Sequence, residues 1–139
     1  MILALSALSA GCVDLNDVSK LTTEQAETAD QSTVPVKVPQ DFPIPIYRNA
    51  SATQTTDTTI GADRARSLIL NSKDSSDTIT EFYEDWFKKQ RWSVRNKSVS
   101  QDLGVFISAE KDKIIVNITS MRSQNAHSTT ITINVASKN

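Results

Sequence analysis

A single cysteine, Cys12, and a single histidine, His127, limit the chemistry open to this 139-residue chain. A zinc site of nitrogen and sulfur donors needs three or four such side chains. One cysteine cannot close an internal disulfide, so Cys12 is free, intermolecular or modified. Ser and Asp are plentiful enough to join His127 in a triad, yet no serine stands in a nucleophile-elbow pattern. His127 therefore reads as an exposed loop residue. Three scattered glycines do not make a phosphate-cradling loop. Glu81, Glu84 and Asp85 fall on one helical stretch, but on its solvated side, whereas paired acid–base work needs one carboxyl in a dry pocket. Asp74, Asp77, Asp102 and Asp112 do not match a calcium-loop spacing. The expectation is a non-enzymatic protein with no metal and no cofactor.

What surrounds Cys12 is more specific. The run Ile2-Leu3-Ala4-Leu5-Ser6-Ala7-Leu8 has the length and apolarity of a signal-peptide core. It is far shorter than the roughly 20 apolar residues of a transmembrane helix. Small residues follow it, as a peptidase site requires. Leu8-Ser9-Ala10-Gly11-Cys12 resembles the lipobox of bacterial lipoproteins. In that family the signal peptide is cut just before the cysteine, whose thiol then carries a diacylglycerol. The resemblance implies a signal peptide over 1–11 and lipidation at Cys12. It also implies an extracytoplasmic place, anchored to the cell membrane or the outer membrane. Two positions depart from the family pattern: no Lys or Arg precedes the apolar run, and Ser9 stands where Leu is preferred.

Charge divides the rest. Between Val13 and Val34, Asp14, Asp17, Glu24, Glu27 and Asp30 face Lys20 alone, about −4, which leaves about +3 for the remainder of a chain of net charge −1. With few large apolar residues and no aromatic ring, residues 12–38 read as a lipidated N-terminus and a flexible acidic linker. As coil it would reach roughly 30 Å. All four prolines lie between Val34 and Tyr47. Alternating proline forbids helix and favours extended backbone. The segment reads as a strap whose Phe42, Ile44, Ile46 and Tyr47 pack along the edge of a domain spanning 39–139. The competing reading is a Pro-rich ligand for an aromatic groove.

Within that domain, Ser51–Thr59 and Arg64–Ser72 read as a hairpin across Gly61-Ala62-Asp63. Ile79, Phe82, Tyr83, Trp86 and Phe87 fall at i, i+3, i+4, i+7 and i+8, one helical stripe. Ser75 or Ser76 can cap it, and it should end near Gln90. Alternating apolar positions then mark strands from Trp92, from Leu103, from Ile114 with Lys111-Asp112-Lys113 as a tight turn before it, and from Thr130. The predicted fold is α+β, a two-layer sandwich of one amphipathic helix on an antiparallel sheet, order ββαβββ(β). Phe82-Tyr83 in mid-helix, Trp92 just after it and the Phe42-Pro43-Ile44-Pro45-Ile46-Tyr47 strap resemble a small domain that recurs in uncharacterised bacterial lipoproteins. That domain brings no activity with it. Its members often place a Gly before the Trp, where this chain has Arg91.

The candidate binding residues are surface ones. Arg64 and Arg66 on one strand, with Arg95 and Lys97 on another, could form a basic patch for phosphate-rich envelope polymers or lipid headgroups. The alternative is ordinary surface charge. Phe106 and Ile115 fall on the wet side of their strands. If adjacent they form an apolar partner site; otherwise they pack under the strap. The leading expectation is a lipid-anchored envelope protein docking a protein or polymer partner. The alternative is a small-ligand module using a cleft between strap and sheet near Tyr47 and Phe106. A hydrolase around His127 is a third reading. Nucleic-acid binding is not expected at so small a net charge.

Overall fold

The computed structural model describes residues 36–101, 104–123, 125 and 127–138. The signal-peptide, Cys12 and acidic-linker readings lie outside the described residues. The described residues belong to one compact unit, Thr33–Asn139.

Two strands, β1 (Ala50–Ile60) and β2 (Asp63–Ser72), lead into the helix α1 (Ser76–Lys89), and four strands follow: β3 (Ser93–Ser100), β4 (Gly104–Lys111), β5 (Ile114–Arg122) and β6 (Thr129–Ser137). All six strands form one antiparallel sheet in the order β1-β2-β6-β5-β4-β3. The class is α+β, as the pattern of periods predicts. The last strand is not an edge strand: β6 lies between β2 and β5. β1 and β3 form the edges, and each is broken by a bulge, between Ala52 and Gln54 and between Val94 and Asn96.

The helix forms where its signals lie. Ser75 is the N-cap, its Oγ accepting the Thr78 N–H at 3.2 Å, and Asp77 sits in the positive first turn. Ile79, Tyr83 and Phe87, four residues apart, are fully buried. Phe82 and Trp86 flank them, half-buried. The helix stops without a glycine. Arg91 takes φ 57°, and the Trp92 N–H bonds the Phe87 carbonyl while the Arg91 N–H bonds that of Lys88. That pair of bonds is a Schellman stop with arginine at the left-handed position. Trp92 belongs to this stop rather than to β3, its ring against Trp86 and Phe87.

The core joins the helix stripe to Leu68 and Leu70 of β2, Val105, Ile107 and Ala109 of β4, Val116 and Ile118 of β5, and Ile131, Ile133 and Val135 of β6. The Pro-rich strap lies on the same side. Ile44 and Tyr47 are buried in this core, and Val38 and Phe42 pack against it. The Tyr83 hydroxyl donates to the Pro45 carbonyl at 3.3 Å, and the Tyr47 ring meets Phe82 edge-on. Ile46 departs from the expected packing and is 41 % exposed. Helix and strap thus share one face of the sheet.

Candidate functional site

With α1 and the strap on one side, no other element covers the opposite side of the sheet among the described residues. Successive residues of a strand point to opposite faces, so the partners of the buried Leu68, Val105, Val116 and Ile133 fix which residues point outward. None of the outward side chains is buried. Thr56, Ser67, Asn134, Asn117, Ser108 and Asn96 form one row across all six strands. The next row runs Gln54, Ile69, Thr132, Thr119, Phe106, Ser98. Both rows are uncharged hydroxyl, amide and apolar groups. Where Ala65, Ser67 and Ala136 keep the floor low, the face holds a depression of about 230 Å³ walled by Thr56, Asn117 and Asn134. Among the described residues of this face, charge enters only toward one end, at Asp63 and at Glu110 with its partner Arg95.

The structure separates the residues proposed from sequence. Phe106 is half-buried and Ile115 is 37 % exposed, both outward. They are not neighbours: Phe106 pairs Thr119, Ser108 pairs Asn117, and Ile115 pairs Glu110. A shift of four residues along the strand, about 13 Å, separates them, so no joint apolar patch forms. Phe106 does not pack under the strap either, because the strap crosses the opposite face. For the same reason Tyr47 and Phe106 cannot line one cleft. Tyr47 is 1 % exposed, a core residue and not a contact surface. Its hydroxyl donates to Asp74 Oδ2 at 2.6 Å.

The expected basic patch is likewise taken apart. Arg64 and Arg66 lie on β2, and Arg95 and Lys97 on β3, four strand spacings away, roughly 19 Å. Each is already engaged. Arg64 bonds Asp57 at 2.5 and 2.9 Å and Asp41 at 2.9 Å. Arg66 donates to the carbonyl and carboxylate of Asp41 and lies 5.5 Å from the Phe42 ring centre, its side chain only 10 % exposed. Arg95 pairs with Glu110, and Lys97 with Glu84 at 2.9 Å. The hydrogen bond from Arg64 holds the Asp57 carboxyl below its usual range, and that from Arg95 does the same to Glu110. Arg64 and Arg66 therefore latch the strap to β2. In sequence Arg64 and Arg66 are only like charges on alternate residues, and nothing there signals that Asp41 lies over them.

His127 is exposed at φ 47° and borders a depression of about 480 Å³ beside the helix N-terminus, shared with Ser76 and Asp77. The Ser76 Oγ is buried and has no hydrogen-bond partner. No hydrogen bond joins it to His127, so this trio lacks the nucleophile–base contact that catalysis requires. Among the described residues no three His, Cys, Asp or Glu side chains gather as a metal site, and no helix is long and apolar enough to cross a membrane.

Six cations from the helix end, the β4–β5 turn and the end of β6 prove to be neighbours. The Lys111 Nζ donates to the Gln90 carbonyl at 2.8 Å, bringing the β4–β5 turn to the helix end with Lys88, Lys89 and Arg91. The Lys138 N–H bonds the Lys113 carbonyl at 3.2 Å, bringing in the end of β6. Comparison with protein-family models, with curated proteins and with solved structures finds no match.

Proposed function

We propose that this chain is a lipid-anchored, extracytoplasmic envelope protein, non-enzymatic, whose two-layer helix-on-sheet domain docks a protein or polymer partner on the open face of its sheet. Cys12 after its apolar run supports the anchor. The uncharged face of six strands supports the docking, and it is the single observation that carries it. A surface with no charge across two whole rows loses less on desolvation than a charged one, so long as a partner meets its hydroxyl and amide groups with hydrogen bonds. Its Thr, Ser and Asn groups offer donors and acceptors to neutral hydroxyl or amide partners.

Two measurements test the two halves. The mass of the membrane-extracted protein should show residue 12 at the N-terminus with acyl chains on its sulfur. An unmodified thiol with Met1 attached refutes the anchor. For docking, a photoreactive residue at Asn117 should crosslink in the native envelope to a defined species. The same probe at Glu81 on the helix should not capture it, and Asn134→Lys should abolish the Asn117 product. Equal capture from Glu81, or capture indifferent to Asn134→Lys, refutes docking on this face.

A further inference from the structure

We propose that the end of the domain where α1 stops and the β4–β5 turn projects docks on the anionic headgroups of a bilayer. Strand register places these parts together. Arg64 and Ile114 both pair with Ser137, and Glu110 pairs with Ser93. The β1–β2 turn, the end of β6, the β4–β5 turn and the helix C-terminus therefore lie at one end of the sheet. Lys88, Lys89, Arg91, Lys111, Lys113 and Lys138 converge there from three segments. All but Lys111 are exposed, and none of the six has an ion-pair partner among the described residues. Against them stand Asp63, Asp85 and Asp112, while Glu110 is neutralised by Arg95.

Offsetting the negative helix end accounts for Lys88 and Lys89. It does not account for Lys113 and Lys138, which with Lys111 line a depression of about 390 Å³ bounded by Ile115. Ile60, 76 % exposed on the neighbouring β1–β2 turn, adds an apolar side chain beside Lys138. Lysines around an exposed isoleucine match the headgroup boundary, where apolar contact and attraction to anionic lipid act together. The cations are spread from β6 to the helix across roughly 15–20 Å of sheet. That spread suits a plane of charges better than one phosphate. The choice of a bilayer as occupant rests on the anchor reading, which would hold the domain close to one; the charge cluster itself does not depend on it.

The test uses the full chain with Cys12→Ser, so that no acyl chain contributes, sedimented with vesicles of phosphatidylcholine alone or with about one-third phosphatidylglycerol. The uncharged Met1–Ala10 run is common to both, so the difference reads charge. Partition onto the anionic vesicles should be at least about tenfold stronger and should fall as salt shortens the screening length. Near a surface each lysine is worth about fivefold, so K89E/K113E/K138E should remove the preference. Lys73→Glu, exposed at the other end of the domain, should leave it intact. Equal partition onto both vesicles, a triple variant that binds like its parent, or binding to soluble polyphosphate in place of vesicles overturns the proposal. An unacylated native protein would refute the anchor without touching this result.

Discussion

Tyr47 and Asp74, 27 residues apart in sequence, are joined by a 2.6 Å hydrogen bond that ties the strap to the loop entering the helix. Asn49 donates to the same carboxylate oxygen at 2.9 Å, and Thr129 of β6 donates to the Asp74 carbonyl at 2.6 Å. Strap, helix entry and central strand meet at one residue. Tyr47→Ala removes a fully buried ring from this junction and should destabilise the domain by about 3–5 kcal/mol in urea unfolding. Tyr47→Phe keeps the ring and loses the hydroxyl, so its loss should be clearly smaller. Equal losses would mean that the hydrogen bond and not the packing holds the strap.

Acid should loosen the same contacts. Hydrogen bonds from Tyr47 and Asn49 hold the Asp74 carboxyl below its ordinary 3.8, Arg64 does so for Asp57, and Arg95 lowers Glu110 from 4.5. A carboxylate whose folded value is depressed stabilises the fold above its unfolded value, and that contribution disappears as pH falls through the folded one. The urea midpoint should be flat from about pH 7 to 5 and drop below about pH 4. Tyr47→Phe should shallow the drop.

Alkali acts with the opposite sign. Tyr47 and Tyr83 are the two tyrosines of the chain. Burial raises both above the ordinary 10.0, and the neighbouring Asp74 raises Tyr47 further. A raised acid stabilises the fold fully below its unfolded value and loses that contribution as pH climbs through the folded one. Tyrosinate absorbance at pH 10 should therefore lie below the half-ionisation of a free tyrosine and rise together with unfolding. Half-ionisation at pH 10 with the fold intact would contradict the packing of both rings.

Arg91→Gly should stabilise the domain by about 0.5–1 kcal/mol. A side chain at φ 57° meets the following carbonyl, a strain that glycine lacks. The gain is reduced by the freedom glycine adds to the unfolded chain. A thermal or urea midpoint that falls would show that Arg91 makes a compensating contact.

The helix was legible because its five-residue aromatic stripe and its Ser75 cap are local signals. The strands after it were legible from the alternation of Val105, Ile107, Val116, Ile118, Ile131 and Ile133. Strand order was not, since nothing in Thr129–Ser137 says that it will lie between β2 and β5. The candidate sites failed for that reason. Phe106 and Ile115 share a face but sit in different rows, a matter of register. Arg64 and Arg66 look free until the strap brings Asp41. Tyr47 reads from sequence as packing along the domain edge or lining a cleft, and only the tertiary partner Asp74 explains how its hydroxyl can be buried. The clustered lysines carry no pattern in sequence because three chain reversals gather them.

The placement of β6 also governs when folding can finish. Its nine residues supply both the Leu70–Ile131 and the Ile118–Ile133 pairings, so the β1–β2 hairpin and the β3–β5 meander have no common hydrogen-bonded seam before β6 is in place. Until β6 pairs along both of its edges the two parts of the sheet stay separate, and the core closes only when it does.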